Sequence, residues 1–197
     1  PWLCACRAKR AEWDAFKAER LAKPVLFDPV WNAEVLTQPA AIATATAFAR
    51  ARDAVVFFDA GDVQANGFQI VEDARIGRTY TETGASYMGW AVSALLATAV
   101  ATQPFQGLAL TGDGSFAMSP QILIDGAAHG ARGTILLLDN RRMGAISGLQ
   151  LAQYGHDHAT HDGVEVDYLA WARAVRGVAA FDGGRTLESL RAALAVA

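Results

Sequence analysis

Two polar turns, each closing an apolar run, hold the residues of this chain best suited to chemistry. Gly107–Leu110 leads through Thr111 into Gly112-Asp113-Gly114-Ser115, and Thr134–Leu138 ends in Asp139-Asn140. The interval from Ser115 to Asn140 leaves room for one crossover helix between parallel strands. That places a carboxylate and an amide side by side at the carboxyl ends of neighbouring strands, where open α/β sheets bind ligands. A magnesium ion takes one or two oxygens from side chains and completes its shell with phosphate and water. Asp113 offers a carboxylate oxygen, Asn140 an amide oxygen, and a backbone carbonyl just past Asn140 a third. Gly112 and Gly114 allow close backbone approach, Ser115 adds a hydroxyl, and a helix starting after Ser115 aims N–H groups at phosphate. Alone, Gly-Asp-Gly-Ser is more simply a turn; paired with Asn140 at this spacing, it points to a diphosphate held through magnesium.

The elements that position these turns follow from hydrophobic patterning. AEWDAFKAERLAK reads as an exposed helix, and Leu36–Arg52 as a second helix with Pro39 in its first turn. Ala54–Phe58, Gly107–Leu110, Thr134–Leu138 and Val178–Phe181 read as strands. Gly89–Ala101, Pro120–His129, Asp167–Val175 and Thr186–Ala195 read as helices, with loops over Asp62–Gly84 and Gln150–Gly163. The alternation predicts an α/β fold, a doubly wound parallel sheet flanked by helices. A start at Pro1 and an end in a helical pattern at Ala197 read as those of a fragment. Residues 1–34 are then a connector from an upstream domain, and 35–197 a ligand-binding domain incomplete at its C-terminus, without its last strand.

Composition narrows the class. The chain is 52% hydrophobic and 19% charged, as globular proteins are. A net charge of −3, with no basic run interleaved with aromatics, argues against a nucleic-acid partner. The longest apolar stretch, Ala91–Ala101, is too short to span a bilayer. Cys4 and Cys6 have no later partners and read as reduced thiols. The expectation is a cytoplasmic protein acting on a small molecule.

A second segment, Glu82-Thr-Gly84-Ala-Ser86-Tyr-Met88-Gly89, precedes an Ala-rich helix. Together with Gly112-Asp-Gly-Ser and Leu138-Asp139-Asn140-Arg141-x-x-Gly144-x-Ile146, it resembles the thiamine diphosphate (ThDP) enzymes of the acetolactate synthase and decarboxylase group. Within that group the pattern is most similar to the trihydroxycyclohexanedione acylhydrolases of inositol catabolism. Similarity covers about Val55 to Leu151; Arg142-Met143 and the loop after Gln150 depart from it.

The resemblance implies ThDP and Mg2+ as cofactors and ring-opening hydrolysis of a cyclic 1,2-dione. It assigns Ser86, Met88, Gly112, Asp113, Gly114, Ser115, Asn140, Arg142, Gly144 and Ala145 to cofactor binding. Asp113, Asn140 and the Arg142 carbonyl would hold the metal. Met88 would support the bent cofactor, its N–H donating to the pyrimidine ring and the Ser86 carbonyl accepting from the 4′-amino group. The activating glutamate belongs to a different domain across a subunit interface, which implies a homo-oligomeric full-length protein. Glu82 is not that residue and reads as a pocket or a loop acid. An acetolactate synthase or 2-oxoacid decarboxylase relative, and a non-catalytic cofactor-binding fragment, remain the alternatives.

Other groups read more plainly. His156, His158 and His161, in a Gly-flanked polar loop, read as solvated side chains, with a lid over the site and then zinc ligation as the lesser alternatives. Arg75 and Arg78 read as surface, and His129 as a helix-end dipole partner. Asp59 and Asp62 follow the first strand, with backbone rather than side-chain contact expected at the ligand.

Overall fold

Three apolar runs lie side by side in a four-stranded parallel sheet. The computed structural model describes residues 1–73 and 75–197. In chain order the elements are α1 (Trp2–Ala22), β1 (Val25–Asp28), β2 (Ala33–Leu36), α2 (Gln38–Ala51), β3 (Val55–Phe58), α3 (Asp62–Ile70) and β4 (Thr79–Thr81). Then follow α4 (Trp90–Ala94), α5 (Ala97–Val100), β5 (Gly107–Gly112), α6 (Asp113–Phe116), α7 (Ile122–His129), β6 (Gly133–Leu138), α8 (Gly144–Tyr154), α9 (Tyr168–Arg173) and α10 (Leu187–Val196). The sheet order is β4-β3-β5-β6, all parallel, and β1 and β2 form a separate antiparallel hairpin.

Strand periodicity divides the core. Val56, Phe58, Leu108 and Leu110 face one side, packing with Ile42 and Ala45 of α2 and Leu190 and Leu194 of α10. Val55, Phe57 and Ala109 face the other, against Ala91, Val92 and Leu95. Burial on both faces explains why β3 and β5 read as unbroken apolar runs. From β3 the chain moves out to β4, then returns past β3 to β5 and β6. Strand order therefore reverses between β3 and β5, and the crevice beyond their carboxyl ends is where such sheets take ligands.

The α/β class and the strands over 54–58, 107–110 and 134–138 are as the sequence predicts. Several local expectations are not. Residues 62–84 hold α3 and β4 rather than loop alone. Gly67 admits α3 against β3, because a Cβ there would lie 2.7 Å from the Phe58 ring. β4 is a short edge strand, Thr79-Tyr80-Thr81, paired only through β3. The predicted helix over 89–101 is two short helices. The predicted strand Val178–Phe181 forms no ladder. It walls a groove of about 1490 Å3 alongside β6, with Val178 packed on the core, so burial without strand pairing accounts for its apolar character. The hairpin Val25–Leu36 was not predicted. Among the described residues, no helix is long and apolar enough to cross a membrane.

Candidate functional site

Parallel register pairs Gly112 with Leu138, so Asp113 and Asp139 emerge together from adjacent strands. Asp113 is buried; one carboxylate oxygen accepts from the Gly114 N–H (2.8 Å) and the other from the Arg141 N–H (2.8 Å). Burial, then the neighbouring Asp139 carboxyl, push the Asp113 carboxyl up to about 6. Partial desolvation and Asp113 likewise raise Asp162, which is exposed at the rim. This concentration of acid in one crevice is a setting that a cation relieves. Asn140 Oδ1 accepts from the Arg142 N–H (3.1 Å), closing a side-chain turn and leaving one lone pair of the amide oxygen. Because the Asp113 carboxylate is bonded to the residue between Asn140 and Arg142, the three predicted metal donors share one turn.

The helix terminus at this turn is not the expected one. α6 covers only four residues and begins at Asp113 itself, and α7 starts six residues past Phe116. The long helix that opens here is α8, at Gly144-Ala145. Its Ser147 N–H is taken by the Met143 carbonyl (2.9 Å). The first N–H groups of a helix lack intrahelical partners and complement an anion. A Cβ on Gly144 would lie 2.5 Å from Asp62 Oδ2 and 2.9 Å from Asn140 Nδ2, so only glycine lets α8 start this close. A Cβ on Gly61 would lie 3.9 Å from the Ala145 Cβ, an ordinary contact that brings the turns after β3 and β6 together across the end of β5.

On the other side of β5 lies the Glu82–Gly89 loop. The Glu82 carboxylate accepts from the N–H groups of Gly84 (2.6 Å), Ala85 (3.0 Å) and Tyr87 (3.1 Å). The bonds from Ala85 and Tyr87 lead in holding its carboxyl below the ordinary range. Glu82 thus spends its oxygens on its own loop. Ser86 is left-handed, with φ 53°. Met88 is half-buried and reaches Gly114: a Cβ at Gly114 would lie 3.5 Å from Met88 Cε and 3.3 Å from Met143 Sδ. Gly114 therefore faces the two methionines, with buried Ser115 next to it in the chain and open space at Gly112.

Asp59 ties this side together, a side-chain role the sequence reading missed. It is fully buried; Oδ1 accepts from the N–H groups of Gly89 (2.9 Å) and Ala60 (3.0 Å), and Oδ2 from the Thr111 hydroxyl (2.8 Å). Burial pushes its carboxyl up against the opposing pull of these bonds. An apolar strand ending directly in Asp was the available signal. Asp62 is half-buried and raised by desolvation, with its carboxylate against Gly144.

The remaining candidates lie apart. Arg75 and Arg78 pair with Asp53. His156 bonds the Tyr154 carbonyl, His161 lies 3.3 Å from Asp157, and among the described residues no three His, Cys, Asp or Glu side chains form a metal-binding group. His129 ends α7. The loop after α8 is nonetheless anchored beside the site: the Met143 N–H donates to the Thr160 carbonyl (2.7 Å) and the Asp162 N–H to the Arg141 carbonyl (3.0 Å). The groove along β6 takes in Asn140, Arg142, Gly144 and Asp62 but not Asp113 or Met88.

Residues 59–197 match the family described as thiamine pyrophosphate enzyme, C-terminal TPP binding domain. The 3D-(3,5/4)-trihydroxycyclohexane-1,2-dione hydrolase of Bacillus velezensis is 33% identical over 150 residues, 72% of this chain and 23% of that protein. That of Lacticaseibacillus casei is 35% identical over 101 residues, 51% of this chain and 15% of that protein. The chain thus spans about a quarter or less of these relatives' length. In fold it is similar to benzoylformate decarboxylase from Polynucleobacter necessarius, with TM-score 0.69 and 18% identity over 82% of this chain and 30% of that one. It is also similar to a thiamine diphosphate-dependent 4-hydroxybenzoylformate decarboxylase of Rhodococcus jostii RHA1, with TM-score 0.67 and 20% identity over 81% and 30%. The family match takes in Asp59, the Glu82–Gly89 loop, Gly112–Ser115 and the Asn140–Ala145 segment.

Proposed function

This chain belongs to the thiamine pyrophosphate enzyme family through its C-terminal TPP-binding domain, and from that premise we propose that it grips ThDP by the diphosphate end, through Mg2+, in an enzyme that opens a cyclic 1,2-dione by hydrolysis. The observation that carries the reading is the buried Asp113 carboxylate bonded to the Arg141 N–H, beside Asn140. A carboxylate, an amide oxygen and the Arg142 carbonyl suit a hard cation that keeps phosphate and water in its shell. Gly112, Gly114, Ser115 and the Gly144-Ala145 start of α8 hold the diphosphate, and Ser86 and Met88 meet the pyrimidine end. When bound, ThDP supplies the electron sink for carbon–carbon cleavage.

The residues of this chain then divide the work. Asp113 and Asn140 fix the diphosphate, Met88 and Met143 exclude water above Gly114, and Glu82 and Asp59 set the height of the Met88 loop. The activating glutamate comes from another domain across a homo-oligomer interface, residues 1–34 connect this domain to its own upstream domain, and the domain alone is inactive. The substrate class rests on the 33% identity to the dione hydrolase and on the Asp139-Asn140-Arg141 sequence. A cytoplasmic setting, suggested by composition, is part of the same proposal.

Calorimetry of ThDP binding in the presence of Mg2+ tests the site. Asp113→Ala removes the Mg2+-dependent affinity; an unchanged affinity overturns the metal assignment. For the substrate, the full-length protein is expected to consume a cyclic dione and not pyruvate. Pyruvate turnover moves the assignment to the acetolactate synthase and decarboxylase relatives.

A further inference from the structure

The β1–β2 hairpin precedes the segment that matches the family, yet its turn meets Asp139–Arg142 at three points. Asp28 Oδ1 accepts from the N–H groups of Val30 (2.8 Å) and Trp31 (3.2 Å), which fixes the hairpin turn. The other Asp28 oxygen pairs with the Arg142 guanidinium, both side chains being about four-fifths covered. Trp31 Nε1 donates to the Asp139 carbonyl (3.1 Å). The Arg141 guanidinium lies over the Trp31 ring, 3.6 Å from its centroid, and Arg185 approaches the same ring at 5.0 Å. Arg141 is left-handed, with φ 53°, a conformation that a long side chain adopts only under outside constraint. Its N–H is the group that the Asp113 carboxylate holds.

We propose that Asp28 and Trp31 are positioning residues for the cation-holding turn, so that the hairpin is a working part of the cofactor site. Neither touches the cation. Trp31 pins Asp139 by its carbonyl and Arg141 by its side chain, and Asp28 pins Arg142. Between these fixed points the Asn140 amide oxygen and the Arg142 carbonyl keep their place beside Asp113. The pairing of Arg142 with Asp28 also directs that cation toward the hairpin instead of the acids of the crevice. Groups that orient the ligands of a metal in this way tune its affinity although they do not bind it. The inference rests on the reading of Asp113, Asn140 and Arg142 as the Mg2+ donors.

The test is a Mg2+ titration of the full-length protein at fixed ThDP, followed by calorimetry. Trp31→Ala removes the indole donor and the stacking surface, and Trp31→Phe only the donor. Asp28→Asn keeps an acceptor for the hairpin turn while losing the charge opposite Arg142. Trp31→Ala is expected to raise the Mg2+ needed for half-saturation about 10-fold. Trp31→Phe and Asp28→Asn raise it less, and the melting temperature without cofactor holds steady in Asp28→Asn. A fluorescence change on Mg2+ addition that vanishes in Trp31→Phe is the second readout. Asp113→Ala serves as reference. If it loses Mg2+-dependent binding while all three hairpin variants titrate like the parent, the hairpin inference is overturned and the metal site stands. If Asp113→Ala also titrates like the parent, the metal reading fails and takes this inference with it.

Discussion

The Glu82–Gly89 loop and the Asp139–Arg142 turn flank β5 at the candidate site, and each carries a left-handed residue that is not glycine, Ser86 and Arg141. They are held in opposite ways. Most of the first loop is closed by its own residues: the Glu82 carboxylate takes N–H groups two, three and five positions ahead, while the ends of the loop are tied outside it, the Glu82 carbonyl accepting from Gln64 and the Gly89 N–H donating to Asp59. The second is held from a distance. Arg141 depends on Asp113, 28 residues earlier, Asp139 on Trp31, 108 earlier, and Arg142 on Asp28, 114 earlier. Backbone strain at a site persists only where the surroundings over-determine it. Here one strained residue is constrained by local sequence and the other by the folded whole.

The comparison can be broken most forcefully at Asp59, where the local loop touches the core. Asp59→Ala strands the Gly89 N–H in the interior and leaves the Thr111 hydroxyl only its longer bond to the Gly112 carbonyl, at a cost of about 2–4 kcal/mol, read as a lower denaturant midpoint. Asp59→Asn, which keeps an acceptor, costs less. Gly144→Ala probes the other region. Its Cβ would crowd Asp62 and Asn140, and a strain of about 1–3 kcal/mol displaces the start of α8 and weakens ThDP binding. Adding Asp62→Ala restores part of the affinity; a double variant no better than the single shows that Asp62 is not the obstruction.

Milder changes sharpen the contrast. Glu82→Gln speeds amide exchange at Gly84, Ala85 and Tyr87 and leaves Arg141 and Met143 unaffected, whereas Trp31→Ala does the reverse. Equal loosening of both regions in either variant dissolves the distinction. The smallest effect is that of pH. The Glu82 carboxyl lies below its ordinary value of 4.5, so the order it gives the loop is complete above that value and is lost as pH falls through the folded one. Asp113, raised to about 6, behaves in the opposite sense. Its protonation favours the folded chain as pH falls from about 6 toward 3.8, while Mg2+-dependent binding, which needs the carboxylate, declines over the same interval. Nuclear magnetic resonance titration of the two regions separates these windows.

The chain's own letters carry the two buried strands β3 and β5, because strands covered on both faces must be apolar throughout, and the half-buried edge strand β6 by the same apolar run. They carry Gly112–Ser115 and Asn140 only as a pair, since either polar turn alone reads as a simple chain reversal. They carry the Glu82–Gly89 loop as a unit, its stabilising acid being within reach along the chain. What they do not carry is whether an apolar run finds a hydrogen-bonding neighbour. Thr79–Thr81 becomes a strand because β3 offers an edge, and Val178–Phe181 stays unpaired although it is more apolar. Nor do they show that Asp59 would accept from residues 30 and 52 positions away. The hairpin's reach to Asp139–Arg142 is equally silent in sequence. Local propensity acts over a few residues, whereas these partners are selected by strand order and helix packing. Sequence alone thus determined which chemistry the chain could hold, and tertiary structure decided which distant side chains hold that chemistry in place.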